Sequence, residues 1–564
     1  MAQKKPPGSK RSRIERGKHL LATVALGLLT ACSRGGTVPV ERMPQTVYVP
    51  QAVYCSAVGP QPVGSPLCPV IPGNIGPDPA IDQTVAYNGI IGQLPTSAKN
   101  DPQTPFDNLS WQTFIALNWA QGQQGSPASQ GLQGNGLRVW QGWPRVSDVF
   151  GNAPVVAHCN APAGMPVFAI GSDGQGNPEA HNEEYIQAAT GEPAIDVSGN
   201  WTIYERRLNG VEVTYLQAPG GNTSWNLTTQ QGQQNFIKGG GTVDFPAVGD
   251  QGAATGAIEI KAAWRVLDPA RHAENQKRFY VVTALLTVAP DLVRASSGAA
   301  ASGPICATVD LGLVAMHIIQ KNPVTQNALK PEWFWTTFEH VDNVPMASQP
   351  CDPTSPSTCA AFNQLDCPVL QAPAGTNYSY FNPQCLSPDC KTNQPPTAST
   401  GGHFYWNPTQ PFAKAYQVTA NSQGKTVTVG TQISRCWSVY PLTQQLNAQW
   451  RAQLARIGSV FQNYMLVGTQ WGASLTDTPN PRVPSNAVPS YLSNSVVETY
   501  LQTFFDPKKP FNTGSCVSCH AAATLAEGNN VPSNLSFLPG LAQPVVLRRP
   551  PVGVAGHEDE IRRE

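Results

Sequence analysis

The pentapeptide Cys516-Val517-Ser518-Cys519-His520 limits what this chain can fold into more than any other stretch. Two thiols three positions apart, with an imidazole directly after the second, present three reactive groups from one short turn. Only 44 residues follow His520, too few to enclose a shared target. The opposite wall must come from earlier chain, so a large fold has to close over its own C-terminal edge.

This spacing lets two thiols add to the two vinyl groups of one porphyrin while the next imidazole sits under the iron, the arrangement of a c-type haem attachment. A structural zinc site would need a second ligand pair at short spacing, and the nearest other cysteine is Cys436. A thioredoxin-like pair would open a helix after a strand in a βαβ setting, which the flanking sequence lacks. One covalent haem c on Cys516, Cys519 and His520 is therefore expected, with His520 as axial iron ligand. Pro532, in "VPSNL", resembles the proline loop of class I cytochromes c, whose carbonyl accepts a hydrogen bond from that imidazole; the other reading is an ordinary loop proline.

No methionine follows His520, so a sixth iron ligand must come from upstream or be absent. Met165, Met316, Met346, Met465, His158, His181, His272, His317, His340 and His403 are the candidates. In "LGLVAMHIIQ", strict alternation puts Leu311, Leu313, Ala315, His317 and Ile319 on one strand face. His340 ends the apolar stretch "WFWTTFEH" beside Glu339 and Asp342. Each histidine is either a hydrogen-bonded structural residue or faces the haem, as ligand or as acid–base group over an open iron.

The N-terminus agrees with chemistry outside the cytosol. Lys4, Lys5, Lys10, Arg11, Arg13, Arg16 and Lys18 precede an apolar run from Leu20 to Leu29, the layout of an export signal too short to span a bilayer. The run ends Leu29-Thr30-Ala31-Cys32, resembling a bacterial lipobox, in which Cys32 would carry the lipid anchor; Ser33 favours an outer-membrane or surface address over inner-membrane retention. Cleavage after residue 31 removes seven basic residues and one acid, leaving 29 against 35 and a formal charge of minus six. No clustered basic face for nucleic acid is visible.

Thirteen cysteines suit an oxidising compartment. Apart from Cys32, Cys516 and Cys519, ten remain, and the five between Cys351 and Cys390 require at least one bond outward, with Cys436 or Cys306 as candidates.

Glycine (50) and proline (53) with 13% charged residues favour strands, turns and long loops. After the signal (1–31) comes a Pro/Gly-rich tether (32–105), a β-rich region (106–440) with a disulfide-rich insertion at about 345–402, a helical segment (441–540) and a solvated tail (541–564). A buried helix is expected from Phe106, capped by Asp107 or Asn108. Two strands are expected around the Asn209-Gly210 turn, followed by strands from Ala257, Arg278, Cys306 and Trp333 in a largely antiparallel sheet. Apolar positions from Leu446 through Met465 predict one helix ending at Gly468, and Ser495 with Glu498 predicts a capping box. The fold class is α+β: a large, loop-rich antiparallel β domain with a helical, cytochrome c-like C-terminal haem segment.

The set "LSWQTFIALNW", "IEIKAAWRVL", "LGLVAMHIIQK", "PEWFWTTFEHVDNVP" and "SCVSCH" followed by "SFLPG" resembles a family of bacterial cytochrome c domain lipoproteins of unassigned reaction. The resemblance implies an exported monohaem protein whose strand region and haem segment form one unit, and supplies no substrate. The first functional expectation is single-electron transfer with a redox partner protein. The alternative is a peroxidase- or oxygenase-like haem enzyme with an open iron near His317 or His340. A third reading is a disulfide-rich interaction module in which the haem is structural.

Overall fold

The computed structural model describes residues 103–123, 126–133, 136–151, 159–171, 193–247, 250, 255–293, 303–322, 332–352, 367–384, 392–393, 404–406, 417–420, 426–428, 432–472, 487–489, 491–502, 514–528 and 530–544. The signal with Cys32, the tether up to residue 102, the last part of the tail, and His158, His181 and His403 lie outside the described residues, and the end of the expected tether, 103–105, instead opens the first helix.

Its strands are β1 (Val167–Ile170), β2 (Ile203–Leu208), β3 (Ile258–Leu267), β4 (Val281–Val288), β5 (Ile305–Asn322), β6 (Glu332–His340), β7 (Met346–Cys351), β8 (Phe404–Tyr405), β9 (Gln417–Ala420), β10 (Thr426–Thr428), β11 (Arg435–Trp437), β12 (Tyr464–Gly472) and β13 (Ala487–Val488). Helices used below are α1 (Gln103–Leu117), α2 (Gly210–Gln217), α3 (Gln230–Lys238), α4 (Pro441–Arg456) and α5 (Cys516–His520).

Strand β5 is the spine of an eight-stranded sheet. One edge pairs with β3, which carries β2; the other pairs first with β4 and then with β6, which carries β12. All these pairings are antiparallel, and β1 joins β4 in parallel. The molecule is thus mixed α and β with a large antiparallel-rich sheet, consistent with the α+β expectation. Smaller sheets pair β8, β9 and β10, and β7 with β11.

Helices α1 and α4 cover one face. Trp111 stacks on Trp450 at 5.8 Å and Phe114 on Phe338 at 4.1 Å, within a cluster that also takes in Met316, Ile318 and Trp264. Each fully buried side chain of this size contributes about 1.5–3 kcal/mol. Asp107 and Asn108 do not cap α1, which starts at Gln103. Both are buried inside the helix, where Asp107 Oδ1 accepts from Thr469 N (3.0 Å) and Asn108 Oδ1 accepts from Trp450 Nε1 (3.0 Å).

Other expectations change for identifiable reasons. Asn209-Gly210 is no hairpin: Asn209 Oδ1 accepts from Glu212 N at 3.0 Å and caps α2, while β2 pairs with β3. The long helix stops at Arg456, and Gly458, at φ 68°, turns the chain so that Met465 lies in β12. Residues expected in a helical segment therefore extend the main sheet. Ser495 starts no helix, because its N–H and hydroxyl bond Glu339.

Of the disulfides, Cys159–Cys306 and Cys367–Cys436 are described, the second reaching out of the insertion to Cys436 as the odd count demanded. Among the described residues no helix is long and apolar enough to cross a membrane.

Candidate functional site

The other sheet face is built from rows of cross-strand partners. Arg206, Lys261, His317 and Thr337 stand side by side on β2, β3, β5 and β6, and Gly468 of β12 follows. Glu259, Ile319, Trp335 and Gln470 form a neighbouring row, one pleat period away.

A bulge decides what faces this side. Ala263 and Trp264 pair with Ala315 and Leu313, leaving Val314 as an extra residue in β5. An extra residue reverses which side the flanking side chains take. Leu311 and Leu313 consequently pack in the α1 and α4 core, away from His317, rather than sharing its face as strict alternation predicted.

Helix α5 docks on the same face through Gln470 of β12. Gln470 Oε1 accepts from Val517 N at 2.8 Å and from Ser515 Oγ at 3.2 Å, so the first turn of α5 is tied to the sheet. Its amide donates onward to the Pro489 carbonyl at 2.6 Å. The His520 ring lies 5.9 Å from Trp335 and 5.1 Å from Phe537 between ring centres.

Cys516 and Cys519 are free thiols. Burial pushes the Cys516 thiol well up, and burial with the Glu498 charge raises Cys519 to about 11, so both keep their protons at neutral pH. Burial lowers His520 to about 4. A neutral ring with Nδ1 2.7 Å from the Leu535 carbonyl donates Nδ1–H to it, leaving the Nε2 lone pair for a metal.

The orienting carbonyl belongs to Leu535, not Pro532, which forms a bridge with Thr524. Asn534 and Leu535 turn the chain at φ 55° and 68°, a left-handed conformation that leucine rarely takes. The turn is anchored to the sheet: Trp333 Nε1 donates to Asn534 O at 2.7 Å and Lys321 Nζ to Asn534 Oδ1 at 3.0 Å.

Arg206, Lys261, His317, Glu498, Cys516, Cys519 and His520 are half-buried, whereas Tyr204, Leu208, Ala263, Ala315, Trp335 and Thr337 on the same face are buried. The half-buried residues sense one another. Lys261, His317 and Glu498 all bear on the His520 ring, and Glu498 and Lys261 on the Cys519 thiol. They cluster where the sheet meets α5. Burial, with the Arg206 charge adding to it, lowers Lys261 to about 8.

His317 is the sequence candidate that the fold brings to His520. Its Nε2 is buried without a well-formed hydrogen bond, 3.4 Å from Glu498 Oε2. His340 lies on the opposite sheet face. Its Nε2 bonds the Arg278 carbonyl at 2.8 Å, its Nδ1 accepts from Asp342 N at 3.1 Å, and its ring stacks on Phe279. It is a satisfied structural histidine, held neutral by burial, which lowers it to about 4. Met316 is buried in the α1 and α4 core, Met346 is exposed, and His272 pairs with Asp310.

Sequence reasoning missed Lys261, Arg206, Glu498 and the Leu535 carbonyl. A lysine among the buried positions of "AIEIKAAWRVL" was the legible signal for the first. Among the described residues, no group of three or more His, Cys, Asp and Glu side chains is gathered to hold a bare metal ion. No family model, curated protein or solved structure matches this chain.

Proposed function

We propose that the chain is an exported, lipid-anchored monohaem c-type cytochrome that transfers single electrons to or from a partner protein. The observation that carries this reading is the state of the pentapeptide: two free thiols and an imidazole held by the Leu535 carbonyl so that Nε2 is left over, all half-buried where α5 meets the sheet. These groups fit haem c. Cys516 and Cys519 would hold the porphyrin, His520 would ligate the iron, and the bound haem would supply a one-electron ferric–ferrous couple. The protein's part is to keep His520 neutral and oriented, to shield the site beneath Trp335 and Phe537, and to carry His317 on the facing strand. Export through the N-terminal signal, a lipid on Cys32 and an outer-membrane or surface position complete the proposal, and the C-terminal segment is read as cytochrome c-like in its attachment chemistry.

A second reading, a haem enzyme with an open iron face, is favoured by His317 standing against the Glu498 carboxylate, the pairing an acid–base group requires. Absorption spectra of oxidised and reduced protein, with and without carbon monoxide, separate the two. A six-coordinate low-spin spectrum indifferent to carbon monoxide supports electron transfer, whereas high-spin iron that binds it rapidly supports the enzyme. Absence of haem stain after denaturing electrophoresis refutes both.

A further inference from the structure

We propose that Glu498 is a positioning residue for His317, setting how that imidazole would stand toward a haem held by Cys516, Cys519 and His520. The inference rests on the covalent-haem reading and concerns side chains that the CxxCH motif does not include.

Glu498 lies on the 491–502 segment, far from His317 in sequence, and meets it in the fold. Its Oε2 stands 3.4 Å from His317 Nε2 and accepts from Asn494 N at 2.8 Å. Asn494 Nδ2 donates in turn to Thr337 Oγ1 at 2.7 Å and to the Phe338 carbonyl at 3.1 Å. Thr337 is the direct cross-strand partner of His317. The brace therefore closes on itself: the strand beside His317 holds Asn494, Asn494 holds Glu498, and Glu498 faces His317.

The segment is fixed beyond this loop. Ser495 bonds Glu339 through both its N–H and its hydroxyl, each at 2.6 Å, and Thr499 Oγ1 returns to the Ser495 carbonyl at 2.7 Å. Such anchoring leaves Glu498 little freedom to follow His317, so the imidazole must answer to the carboxylate.

His317 Nε2 makes no well-formed hydrogen bond, so its lone pair or proton would be open to a group held at His520. Where Glu498 places it decides whether the imidazole ligates the metal or stands off it. Residues that orient groups around a metal in this way change its binding properties about 10–100-fold when removed.

The test measures carbon monoxide association with the ferrous protein, together with its absorption spectrum, in full-length wild type, Glu498→Ala, Glu498→Gln, His317→Ala and the Glu498→Ala/His317→Ala double variant. Covalent haem retained on denaturing gels reports folding. Glu498→Gln keeps an acceptor for Asn494 and serves if the alanine variant does not accumulate. We expect the single variants to shift the association rate at least about tenfold and to alter the spectrum. The double variant should match His317→Ala alone, because Glu498 acts through His317. A Glu498 variant with wild-type rate and spectrum overturns the proposal, as does a Glu498 effect that persists without His317. Loss of haem stain from the wild type would instead overturn the underlying covalent-haem reading, so the two failures are distinguishable.

Discussion

Glu212 of α2 and Glu259 of β3 are buried carboxyls close enough to act on each other's charge, and Ser536, next to the residue whose carbonyl holds His520, lies beside Glu259. Two ionised carboxylates side by side in a buried site repel, which favours keeping a proton on the pair. Burial raises both, Glu212 most, and the neighbouring Glu259 charge adds to it. The sign of the linkage follows. Below the unfolded carboxyl value of 4.5 the pair's contribution is fully present. As pH rises, the unfolded chain releases a proton that the folded chain retains, and stability falls until the folded pair titrates. Glu212→Gln should therefore raise urea-unfolding stability at pH 7, by about 1.4 kcal/mol for each pKa unit removed, and flatten the decline above pH 4.5. A variant whose curve runs parallel to wild type would exclude a proton retained by the folded pair. At this scale the sequence exposed Cys516, Cys519 and His520 because a local spacing encodes their chemistry. Glu212 and Glu259 carry no such spacing; they meet because α2 folds back over β3.

Among the elements, the segment carrying Glu498 depends on one buried ion pair. Arg435 Nη2 of β11 donates to Glu339 Oε2 of β6 at 2.5 Å, and the same carboxylate takes both donors of Ser495. Arg435→Ala would leave Glu339 charged without its cation, so a loss of about 3–5 kcal/mol is expected from chemical denaturation. Amide exchange should quicken in residues 491–502. A loss below about 1 kcal/mol would show that Ser495 alone satisfies Glu339. Existence of the main strands was legible, because β-branched and aromatic residues recur between turn signals in β3, β4, β5 and β6. Their boundaries and facings were less so. Val314 looks like any other valine, yet as the extra residue opposite β3 it turns Leu311 and Leu313 away from His317. The Leu446–Met465 periodicity read as one helix because apolar positions continue past Gly458, whose positive φ ends it. Asn209-Gly210 read as a hairpin turn because that dipeptide suits both a turn and a cap, and only pairing of β2 with β3 selects the cap.

Over the whole molecule, one sheet separates two functions. Its α1 and α4 face is an aromatic core that stabilises the fold, and its other face carries the row from Arg206 to Thr337 on which α5 closes. The Cys159–Cys306 bond crosses 147 residues and pins the start of β5, at the opposite end of that strand from His317. Replacing both cysteines by serine should lower stability by about 2–5 kcal/mol while leaving the spectrum of the haem proposed at Cys516, Cys519 and His520 as in wild type. A changed spectrum would mean that the crosslink also shapes that site. Sequence alone determined the Cys-x-x-Cys-His spacing from which haem attachment is proposed, and the antiparallel-rich class, since each follows from local spacing or composition. Tertiary structure alone decided which histidine faces His520, that Leu535 rather than Pro532 orients it, and that Glu498 stands across from His317. Those outcomes depend on register, a single bulge and contacts between residues far apart in the chain, none of which leaves a local periodicity to read.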